Sequence, residues 1–163
     1  MKRLGFALLV LIACEENEGT KNAFTGNEVV YTLEAGSTYA ITGTLTIKEK
    51  VDGKPFILAE LSGTEGNLQH PVHLHLGNVS LPDADIAALL TPVTGSTGKS
   101  ETTLSTLADE SAVTYAQLLS LEACVKIHLA ESGPGRDVIL AAANIGTSNQ
   151  SASNGRIGIA VCQ

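Results

Sequence analysis

Apolar and polar residues alternate along Tyr39-Ala-Ile-Thr-Gly-Thr-Leu-Thr-Ile-Lys48, with Tyr39, Ile41, Leu45 and Ile47 on one face and Thr42, Thr44, Thr46 and Lys48 on the other. A period of two predicts a half-buried β-strand. Asp52-Gly53 then supplies a turn, and Pro55 to Leu61 reads as the returning strand of a hairpin. Gly63-Thr-Glu-Gly66 closes it, and His70 to Gly77 follows as a third consecutive antiparallel strand. In the middle of the chain, Asp83 to Leu90 could start a helical turn after Leu81-Pro82, while Ile86 to Val93 also suits a strand ending near Pro92. Thr94 to Gly98 is a turn, Ser100 to Leu107 alternates, and Ser111 to Ser120 has a short helical pattern around Tyr115, Leu118 and Leu119. Cys124 to Leu129, Val138 to Ala143 and Arg156 to Cys162 are the remaining strand candidates. About eight short strands joined by Gly-rich turns, with no internal repeat, predict an all-β antiparallel barrel or sandwich.

The first residues read as an address, so they are set aside from the fold. Met1-Lys2-Arg3 is positive, Leu4 to Ile12 is apolar but short for a membrane-spanning helix, and Leu11-Ile12-Ala13-Cys14 ends the run with small residues before a cysteine. This box resembles a bacterial lipoprotein signal, which implies cleavage before Cys14, lipid on its thiol and a membrane as partner. Residues 1–13 are then signal peptide, 14–26 an acidic tether and 27–163 a single β-domain. Acidic residues just behind the cysteine resemble the surface-export signals of some Gram-negative lipoproteins. The expected location is the cell envelope, on an outer membrane, facing the periplasm or the exterior. Losing Lys2 and Arg3 leaves the body two charges more negative than the −7 of the whole chain. An acidic body without a basic block argues against nucleic-acid binding.

Chemistry enters with the four histidines. On a strand, His73 and His75 share one face and Val72, Leu74 and Leu76 the other. His128 stands likewise opposite Val125, Ile127 and Leu129. Three imidazoles on the outer face of two strands could meet at one metal ion. With Cys14 committed to lipid, Cys124 and Cys162 form an even pair in an oxidising compartment, and a disulfide is the default expectation.

The run from Gly43 through His70-Pro-Val-His73-Leu-His75-Leu-Gly77 resembles the Cu,Zn superoxide dismutase family. Val125-Lys-Ile-His128 is similar to that family's third copper-histidine strand, and Asn154-Gly-Arg156-Ile-Gly-Ile-Ala to its C-terminal ending. The resemblance implies a Greek-key barrel, copper held by His73, His75 and His128, and His70 bracing a loop by hydrogen bonding without touching metal. It implies Arg156 as the residue that draws in a small anion such as superoxide, with Arg136 in Gly133-Pro-Gly-Arg136-Asp137 as the alternative. No histidine lies between Gly77 and Ile127, where the family's bridging and zinc ligands belong. Asp85 alone does not make a zinc site. The expectation is a copper-only dismutase relative or a copper-binding protein without turnover. The spacing also resembles the chordin-type CHRD domain, which implies a structural surface role.

Overall fold

In the computed structural model, residues 22–82, 84–151 and 159 are described. Eight strands run in chain order: β1 Phe24–Ala35, β2 Thr42–Lys50, β3 Pro55–Ser62, β4 Gln69–Leu76, β5 Ile86–Thr94, β6 Lys99–Thr103, β7 Glu122–His128 and β8 Ile139–Gly146. Every pairing is antiparallel, and the order β1-β2-β3-β6-β5-β4-β7-β8 closes into a barrel where β8 meets β1. The meander β4-β5-β6 returns β6 to the side of β3, which is a Greek key.

The β2–β3 hairpin forms about the Asp52-Gly53 turn as its alternation predicts, with Leu45 opposite Ala59 and Ile47 opposite Ile57. The histidine strand does not extend that hairpin, contrary to the sequence expectation. β3 takes β6 as its other neighbour, and β4 lies between β5 and β7. Residues 63–68 instead pass over the β5–β6 turn, where Leu61 donates to the Gly98 carbonyl (2.7 Å) and Gly95 to the Leu68 carbonyl (2.8 Å). Those bonds carry the chain to the far side of β5.

Other differences have local causes. Tyr39, expected inside, is 57 % exposed. β2 begins only at Thr42, and the turn before it, with Ala40 at φ +55°, places Tyr39 outside the alternation. Residues 86–94 are strand, which settles the helix-or-strand choice there. β1 starts at Phe24, inside the stretch read as tether, because Phe24 pairs with Lys50 and packs edge-on against Phe56 at 5.3 Å. The short helix α1, Tyr115–Ser120, carries a reciprocal cap: Gln117 N donates to Thr114 Oγ1 and Thr114 N to Gln117 Oε1. Of the Arg156–Cys162 strand candidate only Ile159 is among the described residues, where it is not in a strand and packs against Val79, Cys124, Ile139 and Ala142; β1 itself pairs with β8 to close the barrel.

The core fills the barrel with Leu33, Leu45, Ile47, Ile57, Leu74, Val125, Ile127 and Ile145, among others. A second, smaller cluster of Val79, Cys124, Ile139 and Ala142 lies apart from it. β7 therefore has buried residues on both faces: Ala123, Val125 and Ile127 in the barrel core, and Cys124, Lys126 and His128 opposite them.

Gly43 in β2 approaches the Glu60 backbone so closely that an added Cβ would overlap the Glu60 carbonyl oxygen. Backbone cannot move aside as a flexible side chain can. Gly43→Ala should destabilise the fold by about 1–3 kcal/mol, the usual range for overpacking. Urea denaturation reads this directly, and an unchanged midpoint would contradict the packing described.

Candidate metal centre

Strand register brings the histidines together. β4 and β7 pair with His73 opposite Lys126 and His75 opposite Cys124, so His128, two residues beyond Lys126 on the same face, lies diagonal to His73. Val72 and Leu74 point into the core, as the alternation requires. Leu76, grouped with them from the sequence, is 43 % exposed at the strand end. One potential ligand atom from each of His73, His75 and His128 lies within 4.8 Å of the other two. An ion about 2.0–2.1 Å from each imidazole nitrogen needs donors roughly 3–4 Å apart. A contraction on the order of 1 Å, within reach of side-chain rotation, would close the set.

Two of the imidazoles are locked by backbone carbonyls. His75 Nδ1 donates to the Ala84 carbonyl at 2.8 Å, and His128 Nδ1 donates to the Arg136 carbonyl at 2.7 Å. A carbonyl oxygen only accepts, so the proton sits on Nδ1 and the lone pair on Nε2 in both rings. Ala84 belongs to the segment joining β4 and β5, and Arg136 to the 3₁₀ turn Gly133–Asp137 joining β7 and β8. Each connection thus fixes one ring from outside the barrel. His128 Nε2 is buried and has no hydrogen-bond partner among the described residues. A buried imidazole nitrogen with a free lone pair, beside two more imidazoles, suits a cation. Carbonyl support for the opposite nitrogen is the usual arrangement behind a metal-bound histidine.

His73 is the half-buried member of the set. It opens onto a shallow cleft lined by Pro71, Leu89, Pro92 and Glu131. His70 lies elsewhere: it is buried on the barrel side and donates from Nδ1 to the Leu129 carbonyl at 3.0 Å, tying the start of β4 to the residue after His128. Cys124 is the one cysteine among the described residues, and Cys14, Cys162 and Arg156 lie outside them. Arg136 makes no ion pair with Asp137; the ion pairs among the described residues are Lys48–Glu28, Lys54–Asp52 and Lys99–Glu60.

Lys126 escaped the sequence reading. It shares the face of His128 by the same period of two that singled out the histidines, and it is fully buried with Nζ donating to the Leu81 carbonyl at 3.0 Å. A lysine two residues before a candidate ligand was the available signal. The carbonyl partners Ala84 and Arg136 left no such trace, since any residue type supplies that group.

No protein-family model matches the chain, and neither a curated protein nor a solved structure matches it. The chemistry of the site is read from its own atoms.

All three imidazoles resist protonation. His73 is lowered to about 4, first by burial and then by the neighbouring His128, His75 and Arg136. His75 is lowered by burial and by Lys126, against the bond to Ala84. His128 is lowered by burial and by Lys126 and Arg136, against its carbonyl bond and Asp137. Between an ordinary imidazole value of 6.5 and about 4, the unfolded chain binds more protons at His73 than the folded one. The metal-free protein should be fully stable above that window and lose stability as pH falls through it. Thermal denaturation from pH 7 to 4 measures this, and His73→Gln should flatten the slope. A midpoint that stays level or rises on acidification would contradict the neutral cluster.

Proposed function

We propose that the protein is a lipid-anchored copper-binding protein of the bacterial cell envelope, holding one copper ion through His73, His75 and His128. The observation that carries this reading is the buried, unmatched Nε2 of His128 inside a cluster of three imidazoles. Imidazole suits both copper states, and copper heads the affinity order of first-row divalent ions. Among the described residues this trio is the one group of three or more metal-ligand side chains. That supports a single ion per chain. Membrane attachment is proposed through Cys14, and no helix among the described residues is long and apolar enough to cross a membrane.

Bound copper would supply a one-electron redox centre able to exchange electrons with a small anion such as superoxide. The residues around it support that as the more specific reading. His75 and His128 are fixed by carbonyls, so their lone pairs need no reorientation before binding. His73 borders a cleft open to small molecules. Lys126 and Arg136 place positive charge near the histidines within an otherwise acidic body. Arg156 is proposed as the anion-guiding side chain from the family resemblance, and Arg136 as the alternative already beside the site. His70, bonded to the carbonyl that follows His128, is proposed to brace the end of β7 without ligating.

Binding without turnover is the second reading, and Glu131 favours it. A carboxylate lining the cleft repels an anion and attracts a cation. A structural, CHRD-like surface role is what remains if no metal binds.

Metal analysis and superoxide decay measured on the full-length protein separate these readings. One copper equivalent should be retained. His73→Ala, His75→Ala and His128→Ala should each lose copper and any dismutase activity together, whereas His70→Ala should weaken binding by roughly 10–100-fold. Turnover, if present, should fall below the diffusion-limited range of about 10⁸–10⁹ M⁻¹s⁻¹, given the acidic body. Copper retained by all three alanine variants would overturn the site. A loaded wild type no faster than buffer would remove the enzyme and leave the binding protein.

A further inference from the structure

Between β4 and β5, residues 77–82 and 84–85 lie over the outer face of β4, β7 and β8, and they are fastened there group by group. Gly77, at φ +87°, turns the chain immediately after β4 and donates to the Glu122 carbonyl at 2.7 Å. Val79 N donates to Asn144 Oδ1 at 2.8 Å. The Leu81 carbonyl accepts from Lys126 Nζ at 3.0 Å, the Ala84 carbonyl accepts from His75 Nδ1 at 2.8 Å, and the Asp85 carbonyl accepts from Leu76 N at 3.0 Å. Of these anchors, Lys126 is the charged side chain, and it is 0 % exposed.

A lysine is rarely buried whole unless its ammonium is bonded. Filling space beside β7 would need only an apolar side chain of similar length. The ammonium has a use that such a side chain lacks: it holds the carbonyl three residues ahead of the one that orients His75. His128 is supported separately, through Arg136 on the turn Gly133–Asp137. The two locked rings therefore depend on different parts of the chain.

We propose that Lys126 is a positioning residue for His75. Its ammonium pins the Leu81 carbonyl, which keeps the Ala84 carbonyl on His75 Nδ1 and so keeps His75 Nε2 directed toward His73 and His128. This inference rests on reading the trio as a metal site, but the positioning itself is a property of the metal-free protein.

Nitrogen-15 NMR of the metal-free full-length protein tests it with an internal control. The Nδ1–H protons of His75 and His128 are both hydrogen-bonded and should exchange slowly with water. In Lys126→Met, the His75 proton should exchange at least about tenfold faster while the His128 proton is unchanged, because only the first support runs through segment 77–85. Copper affinity should fall by roughly 10–100-fold. If the methionine variant does not fold, Lys126→Gln serves, since it keeps an N–H donor but not the full reach. It should speed the His75 proton relative to His128 in the same direction. Equal acceleration of both protons, or of neither, overturns the proposal. A wild type that binds no copper but shows the selective effect keeps the positioning role and ends the metal reading.

Discussion

Burial of β7 on both faces is the constraint from which the site follows. A strand with one wet face can carry lysine and histidine freely, whereas Lys126 and His128 are covered on a face that has lost its water. A buried polar group left unpaired costs about 1–3 kcal/mol, more for a charge. Each such group must therefore meet a partner from the connections that cover it. Segment 77–85 supplies carbonyls to His75 and Lys126, and the turn Gly133–Asp137 supplies one to His128. The coverings of the outer face and the orientation of the rings are one set of interactions. His128 Nε2 is the place where the matching stops. A cation or a hydrogen-bond donor placed there would meet the unmatched lone pair.

Electrostatics in the same pocket act in two directions. Burial and the nearby positive charges of Lys126 and Arg136 disfavour the protonated imidazoles, so that an incoming metal has fewer protons to displace from them. Those same charges oppose a dication. Three neutral nitrogen donors still offer a soft metal a favourable site, because coordination strength depends on ligand type and geometry as well as on net field. The charges also soften the acidity of the surrounding body near the cluster. Glu131 lines the cleft onto which His73 opens, so charge of both signs lies near the cluster.

Much of this was legible in the chain. Period-two alternation found the β2–β3 hairpin and, with the same rule, placed His73 and His75 on one face and His128 on a matching one. It did not reveal that β4 leaves β3 for the far side of β5. That choice is made by backbone bonds of Gly95 and Gly98 to the 61–68 region, and backbone groups are the same in every residue. Tyr39 misled because a turn at positive φ interrupts the alternation just where the pattern looked cleanest. Lys126 was overlooked although its position was legible, since a lysine on an outward face ordinarily reaches solvent. Only the covering segment, which comes from residues distant in sequence, turns it into a buried group.

The division of labour along β4 and β7 follows from the pleat itself. Residues 72, 74, 125 and 127 hold the barrel together, and residues 73, 75, 126 and 128 carry the polar chemistry. Because the two sets alternate, polar positions can change without emptying the barrel core, and a barrel of this kind can gain or lose a site with little effect on its shape. The polar set is less independent than the alternation suggests. The carbonyls of Leu81 and Ala84 hold Lys126 and His75, and the carbonyl of Arg136 holds His128, so three of the four members depend on backbone oxygens of the connections that cover them. Chemistry on the outer face of a barrel is thus cheap to place and sensitive to its cover. The sequence of that cover, lacking any histidine, matters through where its backbone oxygens fall.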